Sequence, residues 1–159
     1  MDNSREASFA AIEKELGCSF AGEIKSGGNY TPVVQHGDTV YISGQVPRVG
    51  DTVVVTGRVG KDVALADAQK AARICAMRAL ALLKRHLGSL DRIKTILRVT
   101  VYVQSAEDFS QQSEVGNGAS EVFFSVLGQA GVHARTSIGV FQLPRNAPVE
   151  VDCIAAVEV

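Results

Sequence analysis

The sequence predicts an α+β two-layer sandwich, with a mixed β-sheet and two main helices on one of its faces. Three observations carry this reading. The periodic segments run helix, three strands, long helix, strand, helix, strand, strand, so that strand–long helix–strand units lie between hairpins. Segment 62–87 has an alanine-heavy stripe, Ala68, Ala71, Ala72, Cys75 and Ala79, which lets a helix sit close to a sheet. The 159 residues are 46% hydrophobic and 21% charged, which suits one domain with one real core and is too apolar for a disordered chain. Helices on one face leave the other bare, and self-association is its simplest cover.

Each element has its own signals. Residues 4–16 form an amphipathic helix: Ser4 caps it, Ala7, Phe9, Ile12 and Leu16 share a face, and Gly17 stops it. Residues 18–29 are loop, broken by Ser26, Gly27 and Gly28, and residues 1–29 as a whole read as an extension preceding a domain over 30–159. Strands follow at 31–35 and 38–44, a hairpin about His36 and Gly37, with a third strand at 51–57. The long helix starts at Asp62 as N-cap and ends at Leu87 before Gly88, with cations in its last turns. A β-branched strand occupies 93–104, and a helix over 107–127 is interrupted near Gly116 and Gly118. Strands 133–143 and 148–159 close the chain around Pro144, Arg145 and Asn146.

Composition excludes more than it assigns. Sixteen Lys and Arg against seventeen Asp and Glu leave a net charge of -1, with no field to draw nucleic acid or anionic membrane. No Trp and 6% aromatics argue against a base-stacking platform. Cys18, Cys75 and Cys153 are far apart and in no C-x-x-C spacing, so reduced thiols are expected rather than a zinc site or disulfides. With neither an apolar signal core nor an 18-residue apolar run, a soluble cytoplasmic protein is expected. H-x-E, HExxH, GxSxG, GxGxxG and GxxxxGK[ST] strings are missing, which removes sequence support for the matching enzyme classes.

Polar residues inside strands are the informative breaks. In 133–141, His133, Arg135, Ser137 and Gly139 point one way, which suits an anion site, or a solvated edge strand whose Arg bends into water. The second reading ranks higher on periodicity alone. In the last strand Glu150 and Asp152 share the face opposite Val149, Val151 and Cys153, about 7 Å apart. Pairing of these two strands through the short turn would bring Arg135 to a carboxylate. The product would be a structural ion pair or an acid–base group, since both need the same residue types. Gly44, straight after a β-rich run, admits close approach of a ligand or a second chain to the backbone, or marks a bulge or turn. His36 and His86 read as structural.

The strings VYISGQVP (40–47), LRVTVYVQSAEDF (97–109), NGASEVFF (117–124) and HARTSIGVFQLPRNAPVEVDCIA (133–155) resemble the RidA/YjgF family, formerly the L-PSP endoribonucleases, over residues 30–159. The leading helix and the NYTPVVQHGD approach resemble its longer bacterial branch. The resemblance implies a fold like chorismate mutase of the AroH type, and a homotrimer with clefts between subunits. It implies hydrolysis of reactive 2-imino or enamino acids to 2-oxo acids and ammonia, with no metal or organic cofactor. Arg135 matches the arginine that clamps the substrate carboxylate, and Glu150 the glutamate that positions water and handles the proton. Ser137 stands where many relatives have Cys and contributes its backbone N–H. Asn117 lines the cleft and Gly44 its floor. Val33 falls where the prototype has a cleft tyrosine, which makes Tyr30, three residues earlier, the candidate substitute. Small 2-imino or 2-oxo acids are the implied ligands. Two further readings stand beside this one: a trimeric module that binds small carboxylates without turnover, and an endoribonuclease. The latter rests only on the older name, and the charge, the missing His pair and the scarce aromatics oppose it.

Overall fold

The computed structural model describes residues 4–159; residues 1–3 of the predicted extension lie outside the described residues. Helix α1 (Arg5–Leu16) begins where the Ser4 hydroxyl accepts the Ala7 N–H, and ends at Gly17 with φ +65°. Both ends follow from local chemistry, a side-chain acceptor and a residue that tolerates the left-handed region. Its Phe9, Ile12 and Leu16, with Phe20 and Ile24 of the following loop, enter the same core as the rest of the chain.

Strands β1 (Val33–His36) and β2 (Thr39–Gln45) form the expected hairpin. The expected third strand over 51–57 does not join the sheet. β2 already has β1 on one side and β7 (Val149–Val157) on the other, so no edge remains for it. Its first residues instead make a two-residue hairpin, β3 (Arg48–Val49) with β4 (Thr52–Val53), turned at Gly50 with φ +60°.

Helix α2 runs Leu65–Leu87 and stops at Gly88, φ +83°. Its N-cap lies two residues later than expected because the Asp62 side chain is engaged elsewhere. Its carboxylate accepts the Arg58 N–H at 2.9 Å and closes a turn, and Ala64 takes the N-cap position without a side-chain bond. The alanine stripe with Cys75 is buried as predicted, and α2 packs on β7 and β2.

Strand β5 (Ile93–Gln104), helix α3 (Gln112–Leu127), strand β6 (Ala134–Val140) and strand β7 (Val149–Val157) complete the chain. The five-stranded order is β1-β2-β7-β5-β6, with β5 and β6 parallel and the other neighbours antiparallel. A parallel pair needs a crossover, and α3 supplies it. The result is a mixed α+β fold with α2 and α3 over one sheet face. Within one chain the opposite face is uncovered, and Tyr41 and Ile138 are 49% and 41% exposed there. Among the described residues no helix is long and apolar enough to cross a membrane.

α3 is not interrupted at Gly116 and Gly118, and it starts at Gln112 rather than 107. Both glycines make room for other groups. A Cβ on Gly118 would lie 3.0 Å from the carbonyl carbon of Gln69 in α2 and still closer to its oxygen. Alanine is the better helix former by about 1 kcal/mol, but this obstacle is backbone and has little freedom to yield. Gly118→Ala is therefore expected to destabilise the fold by about 1–3 kcal/mol in urea unfolding. A wild-type midpoint would show that α2 and α3 separate without cost.

Candidate functional site

The residues singled out in the sequence fall into two groups on opposite faces of the sheet. The first forms where α3 crosses β6. Register pairs Arg135 with Val99 and Ser137 with Val101, both buried under the helices, so Arg135 and Ser137 face α3. The Arg135 guanidinium donates to Ser120 Oγ at 2.8 Å, to Ser113 O and Oγ at 3.0 and 3.1 Å, and to Asn117 Oδ1 at 3.1 Å. Ser113, Asn117 and Ser120 recur at i, i+4 and i+7 and form one stripe of the helix. Gly116 lies between them. A Cβ there would stand 3.0 Å from Arg135 Cζ and would strike Ser137 Oγ, a buried hydroxyl with no hydrogen-bond partner.

Four acceptors therefore aim one cation, and among the described residues no carboxylate pairs with it. Sequence reasoning picked out Asn117 but missed Ser113, Gly116 and Ser120. Their signal was present as a small and hydroxylated stripe at helical spacing. Because it coincided with helix-weakening glycines, it read as an interruption.

His133 holds this cluster from behind. Its Nδ1 lies 2.6 Å from the Gly131 carbonyl, which only accepts, so Nδ1 carries the proton. Nε2 then accepts the Ser120 hydroxyl at 2.9 Å, leaving the Ser120 oxygen to accept from Arg135. The ring stacks on Phe124 at 5.4 Å. Burial, and then the Arg135 charge, pull the His133 pKa below its ordinary value. The folded state thus resists protonating this ring. The stability it contributes is present above the unfolded pKa of about 6.5 and is lost as pH falls through the lower folded value. From about pH 7.5 to about pH 5.5 the wild-type Tm is expected to fall relative to His133→Gln, which has no proton to gain. Parallel curves would remove His133 from this role.

The second group lies on the bare face. Glu150 and Asp152 pair across the sheet with Tyr102 and Thr100, and Asp152 accepts the Tyr102 hydroxyl at 3.0 Å. Gly44 sits in a bulge between Ile42 and Gln45, and Glu150 lies directly over it: a Cβ would come 2.8 Å from the Glu150 carboxyl carbon. The bulge reading holds, and within one chain it is the Glu150 side chain that approaches this backbone. Glu150 and Gly44, with Tyr30, Pro144 and Arg145, border a cleft of about 300 Å³. Burial, followed by the neighbouring Asp152 charge, raises the Glu150 pKa. The turn 143–146 beside it is held by the buried Gln104 amide, which donates to Asn146 Oδ1 at 2.7 Å and accepts the Leu143 N–H at 2.8 Å.

Arg135 and Glu150 do not meet within one chain. The expected pairing of their strands through the short turn fails because β5 lies between β6 and β7. Parallel pairing on β5 gives β6 the opposite edge of the order from β1, and the two side chains leave different faces. Val33 is half-buried, packs against the core and is not among the residues bordering the cleft, whereas Tyr30 is. Among the described residues no group of three or more His, Cys, Asp or Glu is placed to hold a metal ion.

The fold is a two-layer α+β domain with a caged guanidinium on an edge strand and a carboxylate over a glycine bulge. The family model described as Endoribonuclease L-PSP matches residues 20–157, and the chain belongs to that family, the RidA/YjgF family. It is 38% identical over 146 residues to Protein TCP17 of Trypanosoma cruzi, covering 91% of each chain. It is 29% identical over 132 residues to a 2-iminobutanoate/2-iminopropanoate deaminase of Dermatophagoides farinae, covering 82% of this chain and 88% of that one. The crystal structure of Atu1372 from Agrobacterium tumefaciens, a protein of unknown function, is 39% identical and superposes with a TM-score of 0.83, covering 97% of this chain and 98% of its own.

Proposed function

We propose that this protein hydrolyses 2-imino acids to 2-oxo acids and ammonia, as a homotrimer in the cytoplasm whose clefts combine Arg135 of one subunit with Glu150 of the next. The observation that carries the reading is the Arg135 cage: four acceptors orient a guanidinium that meets no carboxylate among the described residues. A substrate carboxylate is the missing partner, held in bidentate fashion. The uncovered sheet face and the placement of Arg135 and Glu150 on different faces support assembly between copies. The likeness to an imine deaminase supports the chemistry.

In this reading Arg135 fixes the carboxylate and so the adjacent C=N carbon. Glu150 takes a proton from water as the water oxygen bonds to that carbon, forming a carbinolamine. Glu150 returns that proton to the imine nitrogen, which makes the carbinolamine neutral; it then takes the hydroxyl proton as C=O forms and passes it to the nitrogen, which leaves as ammonia, so that imine plus water gives 2-oxo acid plus ammonia and Glu150 is regenerated. The raised Glu150 pKa suits a group that must both take and return a proton. Orientation does most of the remaining work, since imines already react with water.

The test generates imines in situ with an amino-acid oxidase and follows 2-oxo acid release with and without the protein. Acceleration over buffer is expected, with a trimer mass by light scattering. No acceleration with any side chain, while 2-oxo acids still bind, would leave a carboxylate-binding module instead.

A further inference from the structure

Beneath the Glu150 cleft lie two buried arginines that the reaction above does not use. Arg78 of α2 and Arg48 of β3 are 4% and 6% exposed, and both border the cleft. Arg78 donates from Nη1 to the Arg48 carbonyl at 2.8 Å and from Nε to Gln45 Oε1 at 3.2 Å. Arg48 donates from Nη2 to the Lys25 carbonyl at 2.5 Å, and its buried Nε has no acceptor among the described residues. Among the described residues neither guanidinium meets a carboxylate. Burial, and then the charge of Arg48, bring the Arg78 pKa down to about 10.

At the mouth stand Lys25 and Arg145. Lys25 lies 4.0 Å from the exposed Glu23, and Arg145 is held at φ +57° in the turn anchored by Gln104. Four cationic residues thus border the same cleft of about 300 Å³ as one carboxylate, Glu150. Two buried like charges side by side are unfavourable until an anion enters, and an entering carboxylate gains charge-assisted hydrogen bonds from them.

We infer that Arg48 and Arg78, with Lys25 and Arg145, form a subsite for a second anionic group, so that the preferred substrates are 2-imino acids bearing a side-chain carboxylate. The inference rests on the hydrolase reading, in which Arg135 already holds the first carboxylate, next to the imine carbon. It narrows the substrate class to imines of acidic amino acids.

The experiment compares 2-iminosuccinate, made from D-aspartate by an aspartate oxidase, with 2-iminopropanoate, made from D-alanine by an amino-acid oxidase. The wild type is expected to favour the dicarboxylate in kcat/KM by about tenfold or more, and Arg78→Met and Arg48→Met to lower that ratio by about tenfold. Thermal melts check that these variants fold. Should either fail to fold, Lys25→Ala and Arg145→Ala at the exposed mouth carry the same ratio test, with a smaller drop expected. A wild-type preference for the neutral imine, or a ratio unmoved by every variant, overturns the subsite. If no imine is hydrolysed at all, the hydrolase reading fails by itself. Calorimetric titration with 2-oxoglutarate and 2-oxobutanoate then decides: tighter dicarboxylate binding that Arg78→Met removes supports the subsite, and equal binding overturns it.

Discussion

Arg135→Ala is expected to lower kcat/KM for every 2-imino acid by about 10²–10³-fold, whatever the side chain. The guanidinium is the one cation aimed by Ser113, Asn117 and Ser120, and a bidentate carboxylate bond contributes about 3–4 kcal/mol to holding the reacting carbon in place. Arg135→Lys should recover only part of this, because a point charge on a flexible stem makes no forked contact. The loss should appear in binding of 2-oxo acids as well as in turnover. The fold should barely change, since the exposed Ser113 and Asn117 can turn to water and the buried Ser120 hydroxyl keeps its bond to His133, and the Tm is expected within about 2 °C of wild type. Near-normal turnover by a folded Arg135→Ala protein would remove the clamp, and the reading built on it, from this chain.

Glu150→Gln should move activity and stability in opposite directions. Turnover is expected to fall by about 10²–10⁴-fold, the usual loss when a positioned acid–base group is removed. Stability at neutral pH should rise. The folded pKa of Glu150 lies above its ordinary value of 4.5, first through burial and then through Asp152, so ionised Glu150 opposes folding. Its contribution to stability is fully present below about pH 4.5 and is lost as pH rises through the folded pKa. Glutamine keeps the shape without the charge. The gain at neutral pH should be about 1 kcal/mol or less, because the carboxylate retains some solvent contact. It should vanish near pH 4, where glutamate is protonated too. Thermal melts at the two pH values check this, and a Tm lowered at neutral pH would mean that the charge is compensated in the folded protein.

Some elements were legible because their determinants are local. Ser4 and Gly17 bound α1 through one side-chain acceptor and one left-handed residue, both within the helix's own end turns. The alanine stripe of α2 and the alternation of β7 follow from burial periodicity, and both faces came out as predicted. The family motif placed Arg135 and Glu150 by their residue types and spacing.

Other elements were illegible because groups outside the element compete for the same atoms and edges. Asp62 has the chemistry of a cap, but the Arg58 N–H claims its carboxylate. Segment 51–57 has strand propensity, yet β1 and β7 occupy both edges of β2. Gly116 and Gly118 look like helix breakers until Arg135 and Gln69 are seen to fill the space that their missing Cβ atoms leave.

The sequence by itself determined the layers, the burial faces and the motif residues, because periodicity and capping are properties of neighbours along the chain. The tertiary structure decided that β5 separates the strands of Arg135 and Glu150, that α3 cages one, and that two buried arginines lie beside the other. Strand order and the pairing of charges depend on which distant segments win the available hydrogen-bonding edges and cavities, a competition that spacing along one chain does not record.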